Sequence, residues 1–409
     1  MFEVLSVFFR LGLTSFGGPV AHLGYFHEEF VQRRGWMSEQ EYADLVALCQ
    51  FMPGPASSQV GMAIGFRRAG YPGLVAAWVG FTLPSVVVMV AFALGVAKAG
   101  DLSNAGWLLG LKAAAVAVVA QAVLGMTKSI VTDKLRVAVA LGAFIAVLLV
   151  PHPLVQVVVI AAGMLAGILA LPWAQPRGDA PPSPSAHPPA QQTPTPTTQT
   201  TMSTTPPGSR VTGIVALAIF GLLLLALPVV AGVAHAPGAT IFESFYRAGS
   251  LVFGGGHVVL PLLEQATVPT GLVDHDTFLA GYGAAQAVPG PLFTFASYLG
   301  ASAAGIPWLW GATVATVAIF LPAALLVIGV MPFWDRLRAQ PRAADALAGA
   351  NAAVVGILAA ALYNPVFLAG VNGPATMAVA AAAFVALQSW KLPAWAVVIA
   401  AALTGWAVL

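Results

Sequence analysis

Two short stretches decide the fold of this chain: residues 50–55 read Gln-Phe-Met-Pro-Gly-Pro, and residues 286–291 read Gln-Ala-Val-Pro-Gly-Pro. Each lies in the middle of a long apolar run. Because proline lacks an amide hydrogen and clashes with the preceding helical turn, a helix that enters Pro-Gly-Pro breaks there. A bilayer tolerates such a break only where it is buried in protein or lines a wet cavity. The same break at two places predicts the binding site of a transporter.

The composition predicts an integral membrane protein. Of the 409 residues, 59% are hydrophobic and 8% are charged, which is too little charge to cover a soluble fold of this length. The net charge of +2 comes from basic residues in loops between apolar runs, and it does not indicate nucleic-acid binding. The single cysteine, Cys49, excludes an intrachain disulfide and a thiolate metal cluster. No basic segment precedes the first apolar run, so we predict no cleavable signal peptide.

The stretch around the first Pro-Gly-Pro is too short on either side to cross a bilayer. It runs from about Ser38 to Arg68. Each arm has about fourteen residues, roughly 21 Å of helix against a hydrocarbon core of roughly 30 Å. Arginines at 33–34 precede the two arms and arginines at 67–68 end them. Both ends therefore lie on one side, which predicts a re-entrant hairpin with its tip near the middle of the membrane.

Longer runs follow, and they divide the chain. Runs long enough to cross the membrane lie at about 73–97, 104–127, 134–150 and 153–172. The next segment is rich in Pro, Thr, Ser and Gln, a composition typical of a disordered linker. The predicted domains are a first repeat (1–173), a cytoplasmic linker (174–210), a connecting transmembrane helix (211–233) and a second repeat (234–409).

The chain contains an internal duplication. Before the first break, matched residues occur as pairs in the two halves: Phe8 and Phe245, Arg10 and Arg247, Gly12 and Gly249, Phe16 and Phe253, Gly17 and Gly254, Gly18 and Gly255. At and after the break the pairs are Gln50 and Gln286, Pro53 and Pro289, Gly54 and Gly290, Pro55 and Pro291, Pro84 and Pro322, Gly110 and Gly349.

Basic loops indicate how the two halves are oriented. In the first half they precede the first long helix, at Arg67 and Arg68, whereas in the second half they follow its counterpart, at Arg336 and Arg338. With basic loops inside, the halves are inverted copies, with the N-terminus and linker inside and the C-terminus outside. We predict an all-α polytopic membrane protein of two inverted-topology repeats, with re-entrant helices broken at Gly-Gly and Pro-Gly-Pro. The alternative for the Gly-Gly element is a single crossing.

The residues after the first break favour an anion site. A helix that starts at Pro55 points unpaired amides and a positive dipole end toward the tip, and Ser57, Ser58 and Gln59 add side-chain donors. The second tip is poorer in donors and offers Thr294. The alternative interpretation is that Pro and Gly are simply common in transmembrane helices.

The paired glycines form a second candidate nest. Gly17-Gly18 and Gly254-Gly255 permit positive φ and close backbone approach, as an oxyanion nest requires. Close helix packing through small residues is the alternative. Ser15 and His257 lie beside these glycines.

Two matched arginines complete the candidate set. Arg10 and Arg247 lie within apolar segments, where a cation faces a partner or a cavity, and a guanidinium suits an oxyanion. The alternatives are snorkelling to the interface or pairing with an acid such as Glu3 or Glu243. Lys112 is a secondary candidate because the repeat matches it with Asn351.

No enzyme motif, cofactor motif or metal-ligand pattern occurs in the sequence, so we predict a protein that is not an enzyme. The predicted substrate-binding residues are Arg10, Ser15, Gly17, Gly18, Gln50, Pro53, Gly54, Pro55, Ser57, Ser58, Gln59, Arg247, Gly254, Gly255, His257, Gln286, Pro289, Gly290, Pro291 and Thr294.

These motifs resemble a known family. Phe-Gly-Gly-Pro at 16–19, Arg-Arg-Gly-Trp at 33–36, Tyr-Ala-Asp-Leu at 42–45 and the block at 50–59 resemble the first domain of the bacterial chromate ion transporter family. Residues 253–257 with the second Pro-Gly-Pro are similar to its second domain. The resemblance implies a long-chain, two-domain, multi-pass permease of the inner membrane that exports chromate and gives chromate resistance.

The identification of chromate as the substrate depends on the family resemblance alone. The residues indicate an inverted-repeat transporter whose helix ends suit an anion, and secondary transport is expected because no ATP-binding loop is present. Sulfate has the same charge and shape, so the alternative is a permease or channel for sulfate or another tetrahedral oxyanion. The expected partners are chromate, with sulfate as competitor, and the lipid bilayer; a homodimer stays open.

Overall fold

The chain folds into α-helices joined by short breaks. The computed structural model describes residues 1–99, 105–150, 153–170, 209–234, 236–253, 256–334 and 340–409. These described residues contain helices and no strand, which confirms the all-α class.

The first half contains seven α-helices in its described part. They are α1 (Phe2–Thr14), α2 (Gly18–His27), α3 (Glu39–Phe51), α4 (Ala56–Ala99), α5 (Gly106–Ile130), α6 (Lys134–Leu149) and α7 (Pro153–Ala170). A π-helical turn at Glu28–Arg33 extends α2. The start of α3 is a capping box in which Ser38 accepts the amide of Glu41 and the Glu41 carboxylate accepts that of Ser38.

Helix α8 (Arg210–Ala234) leads into the second half. The helices there are α9 (Pro237–Ser250), α10 (Val259–Thr267), α11 (His275–Ala287), α12 (Phe295–Ser302), α13 (Trp308–Val330), α14 (Pro341–Ala361), α15 (Pro374–Gln388) and α16 (Ala394–Val408). Short 3-10 turns lie at Gly256–Val258, Leu292–Thr294 and Met331–Phe333, and a π-helical turn at Leu362–Phe367 follows α14.

Both Pro-Gly-Pro stretches break a helix, as predicted. Helix α3 ends at Phe51 and α4 begins at Ala56; α11 ends at Ala287 and a 3-10 turn begins at Leu292. Helix α4 bends sharply at Ala69 and Gly70, where Gly70 has φ 62°. This bend separates the second arm of the first hairpin from the crossing helix that follows.

Several helices are long and apolar enough to span a membrane. Among the described residues there are five such segments: Ala56–Lys98, Gly106–Ile130, Arg210–Ala234, Trp308–Phe333 and Arg342–Gly370. Shorter apolar helices lie at Val155–Ala170, Pro374–Gln388 and Ala394–Val408. The chain is therefore a multi-pass membrane protein. Most of the predicted linker, 174–208, lies outside the described residues.

Equivalent helices of the two halves pack in the same way. Helix α1 packs on α4 where Gly12 meets the carbonyl of Phe81, and α9 packs on α13 where Gly249 meets the carbonyl of Ile319. Neither glycine leaves room for a Cβ atom. Gly12 and Gly249, which were matched by the sequence, thus make the same kind of contact in the two halves.

The two halves also exchange their last helices. Helix α5 of the first half packs against α15 and α16 of the second, and α14 of the second half packs against α6 and α7 of the first. Small residues make these contacts close: Gly110 lies on Ala401, and Gly349 lies on Gly163. The two halves are thus interlocked. Their inverted orientation in the membrane stays a prediction.

Candidate functional site

The tips of the two hairpins are joined crosswise to the glycine-rich breaks. The amide of Gly54 donates to the carbonyl of Val252 at 2.7 Å, and the amide of Gly290 donates to the carbonyl of Ser15 at 2.8 Å. Ser15 and Val252 occupy equivalent places before Phe16 and Phe253 in the sequence repeat. Each half therefore places its Pro-Gly-Pro tip against the glycine break of the other half. Four broken backbone segments meet in one region.

Glycine is required at both tips. Gly54 has φ 121° and Gly290 has φ 91°, conformations that L side chains rarely adopt. A Cβ at Gly54 would lie 2.9 Å from the side-chain nitrogen Nε2 of Gln59, and one at Gly290 would collide with the hydroxyl of Ser85. A side chain at either position would therefore strain the backbone and crowd its neighbours.

Each break frees a proline carbonyl that needs a donor inside the membrane. At the first tip, Gln59 Nε2 donates to the carbonyl of Pro53 at 2.7 Å. At the second tip, the hydroxyl of Ser85 on α4 donates to the carbonyl of Pro289. Gln59, predicted to bind substrate, thus has a structural bond. Ser85 was missed by the sequence analysis, although it follows Pro84, which the repeat had singled out.

A histidine joins the first glycine break to the first tip. His22 on α2 is buried, with Nδ1 at 3.2 Å from the hydroxyl of Ser57 and Nε2 at 3.2 Å from the carbonyl of Ser15. The hydroxyls of Ser15 and Ser58 are buried without a hydrogen-bond partner among the described residues. The first tip is thus rich in polar groups, and it is enclosed.

A cavity lies between the second Pro-Gly-Pro tip and the first glycine break. It has a volume of about 250 Å³, several times the roughly 30 Å³ that one water occupies in the liquid. It is lined by Gly17, Gly18, Pro19, Val118, Gln121, His257, Ala285, Gln286, Val288, Gly290, Leu292, Leu387, Leu392, Pro393 and Ala394. Five of the predicted site residues are therefore brought together here: Gly17, Gly18, His257, Gln286 and Gly290.

Neutral donors surround this cavity. The side-chain nitrogen of Gln286 is buried and has no hydrogen-bond partner among the described residues. His257 places Nδ1 at 2.9 Å from the hydroxyl of the buried Tyr282. Gln121 on α5 donates to the carbonyl of Leu387 at 3.2 Å. Gln121 was missed by the sequence analysis; its signal is a lone polar residue halfway along an apolar run.

The first glycine break contributes backbone donors. Gly17 has φ 103° and Gly18 has φ 76°, and α2 starts at Gly18 with no side-chain cap. The amides at the start of a helix lack partners within the helix, and the helix dipole favours negative charge there. Because Gly17, Gly18 and Pro19 line the cavity, this helix end faces the same space as Gln286. Helix ends of this kind bind oxyanions.

The two matched arginines lie in ion pairs. Arg10 contacts Glu29 at 2.5 Å, and Arg247 contacts Glu243 at 2.6 Å. Glu29 also pairs with Arg33 and Arg34. Burial favours the neutral acid, but the bond from Arg34 and the nearby guanidinium charges outweigh it and lower the pKa of Glu29. Neither arginine lines the described cavity.

The remaining predicted residues lie around the tips. Gln50 is exposed, whereas Gly54 and Pro55 are buried. Thr294 turns its hydroxyl to the carbonyl of Pro291 at 2.8 Å. Gly254 and Gly255 lie outside the described residues.

Comparison with known proteins places this architecture in a family. The family model described as "Chromate transporter" matches residues 2–168 and again 239–406, once in each half. The chain belongs to the chromate transporter family. The two matches leave out only the linker region, α8 and the chain ends. Family members are transport proteins, which agrees with the prediction that the chain is not an enzyme.

Curated relatives match over most of their length. A chromate transport protein of Pseudomonas aeruginosa is 28% identical over 99% of this chain and 92% of its own length. A probable chromate transport protein of Synechococcus elongatus is 26% identical over 98% of this chain and 94% of its own. A chromate transport protein of Cupriavidus metallidurans is 27% identical over 88% and 81% respectively. No solved structure matches the chain significantly.

Proposed function

We propose that the chain is a secondary transporter that exports chromate across the bacterial inner membrane and so gives chromate resistance. The observation that carries this proposal is the cavity of about 250 Å³ in which a Pro-Gly-Pro tip of one half meets a glycine break of the other. Transporters bind their substrates where discontinuous helices of two repeats meet. The relatives of this family that bear a substrate name are chromate transport proteins.

The cavity suits a tetrahedral dianion that has shed part of its water. The start of α2 and Gln286 line the same space, and the side-chain nitrogen of Gln286 has no hydrogen-bond partner among the described residues. A hydrogen bond to a charged group contributes roughly 1.5–3 kcal/mol, so several together offset much of the lost hydration. The described lining contains no Lys or Arg, so recognition rests on dipoles and neutral donors.

The position of the cavity mouth supports export. Leu392, Pro393 and Ala394 line the cavity, and Leu392 is 45% exposed, so the cavity opens beside the α15–α16 loop. That loop carries Lys391, and basic loops face the cytoplasm. On this proposal the cavity is open to the inside, the side from which an exporter takes its substrate. In this orientation the linker and N-terminus are cytoplasmic, the C-terminus is external, and the two halves are inverted repeats.

The membrane potential provides the energy. A dianion that leaves a cell with a negative interior gains roughly 4.6 kcal/mol per 100 mV, twice the value for one charge. Export on these terms needs no nucleotide.

The test is chromate uptake into everted vesicles with an imposed potential, interior positive. We expect saturable uptake that depends on this chain and on the potential, and that sulfate inhibits by competition. Uptake that does not saturate would indicate a channel, and uptake of sulfate in preference to chromate would assign another oxyanion. Vesicles without the chain are the control. Absence of any uptake, with the chain present at normal abundance, would overturn the proposal.

A further inference from the structure

A buried lysine makes an ion pair beyond the cavity. Lys112 on α5 has a side chain that is 2% exposed, and its Nζ lies 2.6 Å from a carboxylate oxygen of Asp276. Asp276 is in the first turn of α11 and is 46% exposed. A buried cation is tolerated in a membrane protein only with a partner, and such residues mark functional pathways. The repeat places Asn351 at the position of Lys112, so the pair is not a common element of both halves.

The pair lies at the opposite end of α11 from the cavity. Gln286 faces the cavity near the end of this helix, whereas Asp276 is ten residues earlier, about 15 Å along the axis. Between the two, Gly283 packs directly on α5: a Cβ there would lie 2.9 Å from the carbonyl oxygen of Leu111. The seam between α5 and α11 is therefore closed by backbone contact and, beyond it, by the ion pair.

The outer side of the membrane lies beyond this seam. Helix α5 begins at Gly106, which packs against Gly405 and the C-terminal Leu409. The C-terminus is external in the proposed orientation. The cavity mouth at Leu392 is at the other end of α16. Along the α5–α11 seam the order is thus the inner mouth, the cavity, the Gly283 contact, the ion pair and the outside.

We propose that Lys112 and Asp276 form the external gate, and that their separation opens the cavity to the outside. When the pair separates, α11 moves off α5, the dianion leaves past the ammonium group of Lys112, and the pair closes again behind it. Lys112 then supplies the positive charge that the described cavity lining lacks, at the exit rather than at the binding site. This inference rests on the proposed transport of an oxyanion through the cavity.

The test follows access to the cavity from outside, independently of transport. Cys49 is buried and is replaced by Ala, and Ala285→Cys in the cavity wall becomes the reporter. Right-side-out vesicles are treated with a membrane-impermeant maleimide. We expect slow labelling in this parent and labelling about tenfold faster in Lys112→Asn and Asp276→Asn, because each removes a partner of a buried pair and shifts the closed–open equilibrium.

Two further variants keep the result interpretable. The exchange Lys112→Asp with Asp276→Lys restores the pair and is expected to return labelling toward the parent rate. Lys128→Asn removes an exposed lysine from the far end of the same helix and is expected to change nothing. Monodisperse elution in size-exclusion chromatography shows that each variant is folded, and labelling from the inside in everted vesicles shows that the reporter cysteine is reactive.

Equal outside labelling in the parent and both single variants would overturn the gate. A rise that the charge exchange does not reverse would also overturn it, because simple loosening of the fold would then explain the labelling. Chromate uptake is measured in the same preparations. A labelling response without chromate uptake would retain the gate and remove the proposed substrate.

Discussion

The two Pro-Gly-Pro tips share a sequence motif and differ in what surrounds them. At the first tip, Gln59 donates a hydrogen bond to the carbonyl of Pro53, and the hydroxyl of Ser57 is hydrogen-bonded to His22. At the second tip, the equivalent carbonyl, that of Pro289, accepts a hydrogen bond from a residue outside the hairpin, Ser85 of α4. Gln59 and Ser57 of the first tip therefore have partners within the protein, whereas the hydroxyl of Ser58 has none among the described residues. The second tip, whose own sequence is poor in donors, is the one that lines the cavity with Gln286 and Gly290.

This difference teaches that a donor-rich break is not by itself a binding site. A break in a membrane first needs donors for its own backbone, and only donors left over are free for a ligand. The side-chain nitrogen of Gln286 is such a free donor, whereas the side-chain nitrogen of Gln59 already donates to the carbonyl of Pro53.

The largest effect is expected where both tips are alike. Gly54→Ala and Gly290→Ala each force a side chain into a left-handed backbone conformation, which costs about 1–2 kcal/mol, and bring it against Gln59 or Ser85. We expect both variants to lose chromate uptake and most of their folded, monodisperse protein in size-exclusion chromatography. Gly142→Ala on α6, where the added Cβ meets open space, is the matched control. Normal behaviour of either tip variant would show that the backbone at that tip does not require glycine.

The next largest difference is expected between the matched glutamines, Gln286 at the second tip and Gln50 at the first. Gln286→Ala removes a free donor from the cavity, and we expect the KM for chromate to rise about tenfold or more, as the loss of roughly 1.5–3 kcal/mol predicts. Gln50→Ala changes an exposed side chain, and a much smaller rise is expected. Both are measured in everted vesicles at equal abundance. A larger effect at Gln50 would move the anion to the first tip.

The two side chains that donate to the proline carbonyls, Gln59 and Ser85, are expected to affect the stability of the fold and not the binding of chromate. Gln59→Ala and Ser85→Ala each leave a buried carbonyl unsatisfied, at a cost of about 1–3 kcal/mol. Thermal unfolding in detergent is expected to shift downward in both, while the KM for chromate in the folded fraction stays close to that of the native chain. If Gln59→Ala raised the KM without lowering the unfolding temperature, Gln59 would be a substrate ligand, as the sequence had suggested.

The smallest effect is expected at Glu29, away from both tips. Because its pKa is lowered in the folded protein, this carboxylate stabilises the native state above the ordinary pKa of 4.5. That contribution is lost as the pH falls through the folded pKa. Glu29→Gln is expected to lower the unfolding temperature by roughly 2–4 °C near neutral pH, since its arginine partners are partly exposed. The difference should vanish in acid; a difference independent of pH would contradict the ion-pair explanation.

Much of the fold followed from local chemistry. Pro53 and Pro289 could be recognised as helix breaks because proline acts on its own helical turn. Gly12 and Gly249 were matched in the sequence, but their close packing on α4 and α13 was seen only in the structure. The exchange of the last helices could not be predicted. An apolar helix shows that it is buried in lipid or protein, and it does not show which other helix it contacts.

The candidate site was predicted only in part, for the same reason. Gly17, Gly18 and Gln286 were identified from their motifs, but their shared cavity depends on contacts between distant segments. For Arg10 and Arg247 the alternative of an ion pair describes the structure: Arg247 pairs with Glu243, as named from the sequence, whereas Arg10 pairs with Glu29, which the sequence did not indicate. Side chains such as His22 have no motif around them, so only the structure reveals their bonds.

The exchange of helices has a consequence for biosynthesis. Helices α6 and α7 leave the ribosome early, but their packing partner α14 begins at Pro341, more than 150 residues after α7 ends at Ala170. At about 5–20 residues per second, the first half waits on the order of ten to thirty seconds in the bilayer with that surface facing lipid. The nascent chain must therefore be kept from aggregating in the membrane until its second half arrives.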